Sequence, residues 1–530
     1  MEVILRARDE ELYTAVTDCG AGGFLIGRIG EMGEELGATV ELQNVDLKYP
    51  GLRPWEIWLS EAQERMVLAV PPENLERLQA ICAGQDVTAT VLGTFEPSGR
   101  LQVYYGGQPV GNLTMDFLHN GLPRRHLQAQ WRPPVETDHA PDEPVSNPPA
   151  ADMLLALLAH PDIRSKEDVI RHYDHEVQGG GAAKPLVGSA ANGPGDAAVI
   201  APLDTQEPDH PQAGVAVSNG LCPWYSDIDP YRMAWAAVDE AMRNAVAVGA
   251  DPDRVAILDN FCWGNPNLPD RLGSLVRSAQ GCHDAALAYE TPFVSGKDSL
   301  NNEYTDEHGR KQAIPGTLLI SAMGYVPDVT RTVTMDLKQA GNFVYVVGDT
   351  RPELGGSHFS LVGGKIRSQH QAAPGPVSNA LGRLRVLHQA IRSGLVRACH
   401  DCSEGGIGVA LAEMCLAGDL GMEVQMRSVP VDPYYAYAAD EAVLYSESLT
   451  RFLIEIRPED ADALSAALGD VPHACIGVVG GTSLRIHPRL PDTADPLLDL
   501  SVSALRQAFT GQAQVAVQPA PSLIHAVPTT

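Results

Sequence analysis

The feature that most limits how this chain can fold is that it repeats itself. Near its start it carries Asp18-Cys19-Gly20-Ala21-Gly22-Gly23, then Gly30-Glu31-Met32, then Trp58-Leu59-Ser60-Glu61-Ala62-Gln63-Glu64-Arg65 running into MVLAV. Much later it carries Asp401-Cys402-Ser403-Glu404-Gly405-Gly406, then Ala412-Glu413-Met414, then Leu444-Tyr445-Ser446-Glu447-Ser448-Leu449-Thr450-Arg451 running into FLIEI. Asp18 and Glu61 are 43 residues apart, Asp401 and Glu447 46. Three features in one order at matching separations mark a duplication, so two copies of one unit must each build a core. In each, a segment (ELYTAVTD or LVRACHD) enters the DCxxGG turn, and in the second an apolar helical pattern follows through Ile407, Val409, Ala410, Leu411 and Met414. Adjacent glycines let the backbone take unusual φ and approach a ligand closely. A helix start just after them offers free N–H groups to an anion. A tight strand-to-helix turn without a ligand would read the same way. MVLAV and FLIEI predict buried strands, with the Ser-Glu pair at the entrance where side chains can face a cleft.

The 530 residues suffice for three to four domains, and 44% apolar against 20% charged residues is ordinary for a globular protein. Aromatics at 6% leave the cores to Ala, Val and Leu in an α/β or α+β fold. Lys and Arg number 38 against 67 Asp and Glu, a net charge of −29, which argues against general nucleic-acid or anionic-membrane binding. No run approaches ~20 apolar residues. The start, MEVILRARDEEL, carries charges where a signal peptide needs its apolar region. Nine scattered cysteines fit reduced thiols in a cytoplasm, and Cys399-x-x-Cys402, with no second pair, predicts buried thiols over zinc. A proline-rich linker at 132–150 separates a first block, 1–131, from blocks at 151–335 and 336–490, and 491–530 is a tail.

The middle block is densest in chemistry. Asp229-Pro230 opens a helix ending near Gly249, with Met233, Ala237, Val238, Ala241, Ala245 and Val248 as its apolar face. Glu240 and Asn244 stand one turn apart on one side, where they can share a hard cation such as Mg²⁺ or stand solvated. Gly193-Pro194-Gly195-Asp196 presents a further candidate oxygen ligand beside a strand. Asp259-Asn260-Phe261-Cys262-Trp263 ends the apolar run VAIL, and Ser295-Gly296-Lys297-Asp298-Ser299 follows a short strand, TPFV. Lys297 suits phosphate, and Ser299 is a small donor and acceptor. With neither GxxxxGK[ST] nor a GxGxxG opening a βαβ unit, the pattern favours Mg²⁺-phosphate chemistry over nicotinamide chemistry.

Taken together, DCGAGGF…GEMGEELG, LKYPGLRPWEIWLSEAQERMVLAVP, GPGDAAV, DPYRMAWAAVDEAMRNAVAVGA, DNFCWGNP, VSGKDSLNNEY and HDCSEGGIGVALAEM resemble the synthetase subunit of phosphoribosylformylglycinamidine synthase, the PurL type. The resemblance implies a PurM-like tandem-repeat architecture of alternating N- and C-terminal subdomains: a C-terminal subdomain at 1–131, then a second N-terminal one at 151–335 and C-terminal one at 336–490. It implies ATP-dependent amidation of formylglycinamide ribonucleotide, with ammonia from a separate glutaminase subunit and a small accessory subunit in the complex. By motif, Asp18 is implied as a Mg²⁺ ligand, Asp259 and Gly296 as ATP contacts, Lys297 as a phosphate contact and Ser299 as a substrate contact. Glu61-Ala62-Gln63 falls in the substrate-contacting segment, where Ser is more usual than Ala62. A second nucleotide site, holding a structural ADP with Mg²⁺ in longer members, is implied at Asp196, Glu240, Asn244, Asp401 and Ser403.

The departure lies at the start. The family's catalytic His belongs to a first N-terminal subdomain, yet the first histidine here is His119. The catalytic residue is therefore unassigned, and the expectation is a split synthetase completed by a polypeptide carrying that subdomain, or a truncated gene. The alternative is a non-catalytic ADP-binding scaffold in the same complex.

Overall fold

The computed structural model describes residues 1–512 except 21, 25–28, 48, 63–64, 134–145, 206–211, 368–369, 436–437 and 490–494. Most of the proline-rich linker, the segment 513–530 and Gln63 thus lie outside the described residues. Two compact units are present, 1–126 and 127–530.

In the first unit, strand Ala15–Asp18 pairs antiparallel with Met66–Ala69. A separate four-stranded sheet runs in the order Gly93–Phe95, Ala38–Glu41, Arg100–Tyr105, Gln108–Thr114. Phe24, Ile29, Val40, Ile57, Trp58 and Leu101 gather in one core, and Val3, Ala7, Leu78 and Ile81 in another. The strand Met66–Ala69 is only half-buried, with Met66 exposed, against the expectation of a buried strand.

The second unit contains two large sheets. Six strands run in the order Phe293–Ser299, Val255–Cys262, Thr317–Val326, Gly214–Leu221, Ala198–Ile200, Gly181–Ala183. Helix Pro230–Ala247 packs on this sheet and on helix Pro269–Ala288. Its start is as predicted: Asp229 Oδ1 accepts from Tyr231 N at 2.9 Å, Pro230 takes the first turn, and Gly249 follows the end at φ +109°. Nearly its whole length is buried, so Glu240 and Asn244 are not the solvated pair that spacing alone allowed. GKDS lies within a strand rather than after one, because Phe293–Ser299 pairs in parallel with Val255–Cys262 through to Ser299.

Seven strands form the other sheet, in the order Val396–Asp401, Phe452–Ile456, Phe343–Val347, His473–Val479, Met422–Gln425, Ser483–His487, Leu498–Ser501. Phe452–Ile456 is buried throughout, as FLIEI predicts. Two assignments change. The segment 491–530 is not all tail: Leu498–Ser501 adds an edge strand, and helix Val502–Phe509 buries Val502, Leu505, Ala508 and Phe509 at helical spacing. Residues 151–158, assigned to the middle block, form most of helix Ala150–Leu158, which buries Met153, Leu154, Leu157 and Leu158 in the core of the seven-stranded sheet. Cys399 and Cys402 are buried free thiols. No described helix is long and apolar enough to cross a membrane.

Candidate functional site

The end of strand Val396–Asp401, the turn after it, and the middle of helix Pro230–Ala247 converge on a cavity of about 300 Å³. Asp196, Glu240, Asn244, Asp401 and Ser403 all line it, so five residues spread over more than 200 positions of sequence meet in one place. Asp196 Oδ1 accepts from Asp401 N at 2.9 Å and faces His400 Nδ1 at 2.8 Å. Asn244 Nδ2 donates to Asn219 O at 3.0 Å. That leaves Asp196 Oδ2 and Asn244 Oδ1 buried and accepting from no described residue. Two buried oxygens left this way cost free energy unless a cation or a hydrogen-bond donor, water included, meets them. A hard cation with oxygen ligands fits such a donor set.

The electrostatics agree. Burial, then the neighbouring Asp401 carboxylate, push Glu240 up to about 7. Burial and Glu240 push Glu404 up as well. Burial alone would lower His400, but Asp196 and Glu413, the latter 3.0 Å from Nε2, raise it well above its ordinary value. Arg243 bonds Asp401 Oδ2 through Nε at 3.2 Å and Nη2 at 3.1 Å and also pairs with Asp239, one turn earlier on the same helix. A site with this many carboxylates and few compensating cations attracts a divalent ion and, through it, phosphate oxygens. The turn supplies the other half: Ser403 Oγ donates to Asp401 Oδ2 at 2.5 Å, and helix Gly406–Gly418 starts immediately beyond.

The remaining predicted residues do not line this cavity. Asp259, Gly296, Lys297 and Ser299 cluster on the two paired strands, with Asp259 opposite Gly296 and Cys262 opposite Ser299. Lys297 Nζ donates to Ser299 Oγ at 2.6 Å. Burial and the nearby Asp298 raise the Asp259 carboxyl. Asp18, Glu61 and Ala62 belong to the first unit, where Asp18 Oδ1 accepts from Gly20 N at 2.6 Å and Glu61 accepts from Gly22 N at 3.0 Å.

That last bond shows how deeply the duplication runs. Glu447 accepts from Gly405 N at 2.8 Å, the same bond at the same motif positions. Cys19 N donates to Arg65 O and Cys402 N to Arg451 O, at 2.8 and 3.0 Å. Arg65 Nη2 donates to Ser60 O and Arg451 Nη2 to Ser446 O, at 2.7 and 2.6 Å. The second glycine of each pair has φ near +60°, and a Cβ there would meet the opposing Ser-Glu backbone: 2.9 Å from Ser60 O at Gly23, 2.2 Å from Ser446 O at Gly406. Both copies thus use a glycine where only a glycine fits.

Several residues of the site escaped sequence reasoning. His400 and Glu404 sit inside the HDCSEGG motif, and Glu413 is the acid of the repeated Glu-Met pair, so their signal was adjacency to residues already chosen. Arg243 could have been found from its i,i+4 spacing to Asp239. Lys166, at the cavity wall, carries no local signal.

Comparison with known proteins places this geometry in context. Residues 1–106 and 339–487 match the AIR synthase related protein C-terminal domain, and 194–326 match the N-terminal domain of the same family, so most of the chain is covered. The PurL subunit of phosphoribosylformylglycinamidine synthase from Anaeromyxobacter dehalogenans is 34% identical over 513 residues, covering 92% of this chain and 63% of the relative. That from Ignicoccus hospitalis is 34% identical over 493 residues, covering 92% and 64%. The chain therefore spans less than two thirds of the length of these relatives. The fold is that of PurL in the Thermotoga maritima PurLQS structure, with a TM-score of 0.59 at 20% identity, covering 91% of this chain and 66% of that one. Thermotoga maritima PurL complexed with ADP is similarly related, with a TM-score of 0.58 at 21% identity and the same coverage. The chain belongs to the AIR synthase-related family, and its relatives there are the PurL subunits of phosphoribosylformylglycinamidine synthase.

Proposed function

We propose that this chain takes part in the ATP-dependent amidation of formylglycinamide ribonucleotide, with the cavity at Asp196, Glu240, Asn244, Asp401 and Ser403 as a Mg²⁺-nucleotide site. In the reaction, ATP's terminal phosphoryl group passes to the formamide oxygen, ammonia attacks the carbon, and phosphate leaves to give the amidine and ADP. The observation that carries the nucleotide site is the pair of buried oxygens, Asp196 Oδ2 and Asn244 Oδ1, that no described residue satisfies. Mg²⁺ held there by Asp196, Glu240, Asn244 and Asp401 would offset nucleotide phosphate charge. Ser403 and the turn N–H groups would hold phosphate oxygens, and the Arg243 bonds orient the Asp401 carboxylate.

By motif, Asp18 is a Mg²⁺ ligand, Asp259, Gly296 and Lys297 contact ATP, and Glu61, Ala62, Gln63 and Ser299 contact the substrate. A glutaminase subunit supplies the ammonia, a small accessory subunit joins the complex, and a further polypeptide brings the first N-terminal subdomain. The boundary between the second N-terminal and C-terminal subdomains lies near 335, and helix Ala150–Leu158 goes with the C-terminal subdomain whose core it joins. A scaffold that holds ADP without turning over is the second reading, favoured by the completeness of the cavity's ligands within one compact unit.

The test is titration of the full chain with ADP and Mg²⁺, followed by ammonia-dependent ADP release with formylglycinamide ribonucleotide, alone and with candidate partners. Mg²⁺-dependent ADP binding weakened at least about tenfold by Asn244→Ala supports the site, each lost ligand bond being worth ~1–3 kcal/mol. Turnover only with partners supports the split synthetase. ADP binding without turnover in any combination leaves the scaffold, and no ADP binding at all removes both readings.

A further inference from the structure

Helix Pro230–Ala247 carries two polar pairs at i,i+4 spacing, offset by one position. Glu240 and Asn244 line the cavity, whereas Asp239 and Arg243, each one residue earlier, do not and are 0% and 2% exposed. Successive helical residues point about 100° apart, so the second pair is turned toward the neighbouring elements. There Asp239 accepts from three of them. Arg243 pairs with it from the next turn of its own helix, and the hydroxyl of Tyr289, just past helix Pro269–Ala288, donates to Oδ1. Thr450, at the entrance to strand Phe452–Ile456, donates its hydroxyl to Oδ1 and its N–H to Oδ2, the latter at 3.0 Å. One buried carboxylate thus ties two helices of the six-stranded sheet to the seven-stranded one. Thr450 itself sits at φ +51°, a region that β-branched residues rarely enter. Such strain persists where the surroundings fix it, and it gathers at functional sites.

Arg243 carries that hold to the cavity. Its Nη1 pairs with Asp239 Oδ2, while Nε and Nη2 both donate to Asp401 Oδ2, at 3.2 and 3.1 Å. Ser403 Oγ donates to the same oxygen. With Oδ2 taken three times, Oδ1 is the oxygen that Asp401 has left for a cation. A guanidinium is planar with fixed N–H directions, so locking one side of it on Asp239 sets the direction of the carboxylate on the other. Glu240 and Asn244 need no such help. They share a helix, and strand Gly214–Leu221 holds both, through Leu221 N to Glu240 and Asn244 Nδ2 to Asn219 O. Asp401 comes from the other sheet and would shift against them if the chain of bonds were cut. Mg²⁺ demands near-ideal octahedral geometry at about 2.0–2.1 Å, whereas Ca²⁺ accepts looser arrangements at about 2.3–2.6 Å. Rigidity here is therefore selectivity.

We propose that Thr450, Asp239 and Arg243 form a positioning relay that makes the cavity selective for Mg²⁺ over Ca²⁺, by holding Asp401 at one distance from Glu240 and Asn244. None of the three lines the cavity. The inference rests on the nucleotide site proposed above and adds to it the residues that decide which cation it takes.

The test is calorimetric titration of the full chain with ADP, once in excess Mg²⁺ and once in excess Ca²⁺, each variant being scored by the ratio of its two dissociation constants. Asp239→Asn takes the charge from the hub, and Arg243→Lys keeps the charge and loses the fork. Thr291→Val is the control: it removes a buried hydroxyl bond to Val255 O, 2.8 Å long, beside the same sheet but outside the relay. The wild-type chain should prefer Mg²⁺ at least about tenfold, and both relay variants should lower that preference by about tenfold, with Thr291→Val within about twofold of wild type. If Asp239→Asn does not fold, Arg243→Lys, which leaves both carboxylates a buried cation, decides by the same ratio. A wild-type ratio in the relay variants overturns the relay. So does an equal loss in Thr291→Val, because general loosening of the fold would then account for it. A wild-type chain that binds ADP equally well with both cations overturns selectivity while the nucleotide site stands. No ADP binding by the wild-type chain with either cation removes the nucleotide site and the relay's role together.

Discussion

The same glutamate occupies the same motif position twice, and its two environments predict two very different mutational costs. Glu447 is buried and accepts from Tyr225 Oη at 2.5 Å, His358 N at 2.9 Å and Gly405 N at 2.8 Å, and faces His358 Nδ1 at 3.1 Å. Burial would lower His358, but Glu447 and the Asp162 carboxylate 3.1 Å from its other nitrogen raise it to about 10. Glu447→Gln keeps the shape and removes the charge, leaving a buried imidazolium with Asp162 alone. Breaking one side of a buried ion pair costs about 3–5 kcal/mol. Glu61 is exposed and accepts one bond, from Gly22 N at 3.0 Å, so Glu61→Gln should cost about 1 kcal/mol or less. Because the chain has two compact units, one global melting temperature would mix them, and exchange read segment by segment is the right assay. Amides of helix Gly406–Gly418 should open roughly 10²–10⁴-fold more readily in Glu447→Gln, whereas those of Ala15–Asp18 should change less than about tenfold in Glu61→Gln. Equal effects in the two units would refute the claim that burial, rather than the motif, sets the value of this residue.

Three further outcomes follow from the same contacts. Gly406→Ala places a Cβ 2.2 Å from Ser446 O at φ +62° and should lower stability by at least about 2 kcal/mol, read as a shifted denaturant midpoint with unchanged slope. Gly23→Ala, 2.7–2.9 Å from the backbone at 58–60, should be costly in the first unit for the same reason. His358 is raised on folding, so its contribution is complete below about pH 6.5 and is lost as pH rises through about 10. The exchange protection of helix Gly406–Gly418 should therefore fall across that range, and Glu447→Gln should flatten the fall.

How much of this was legible follows from where each signal sits. The duplication, the helix opened by Asp229-Pro230 and the Glu240–Asn244 pair are local patterns, set by turn chemistry and a period of 3.6, and the structure has them in place. Burial of the pair was not local: it depends on strand Gly214–Leu221, whose Leu221 N donates to Glu240 at 2.9 Å, and on Asn219 O, the partner of Asn244. The assignment of residues 151–158 to the middle block failed for the same reason, since the apolar residues of helix Ala150–Leu158 require that it packs but do not say on which sheet. Its partner is fixed by contacts such as Tyr445 Oη to Ala150 O, 2.6 Å, across 295 residues of sequence.

The strands named for burial show the limit most clearly. MVLAV is apolar throughout and FLIEI everywhere but Glu455, and by composition each should be a buried strand. One is central because Phe343–Val347 lies on its far side, and the other stands at the end of a ladder. Nothing within either segment encodes that neighbour, so a strand's hydrophobicity reports the sheet it was made for rather than the sheet in which it stands. Met66–Ala69 keeps the composition of an interior strand while Met66 is 42% exposed, so the burial of a strand has to be read from its neighbours and not from its own residues.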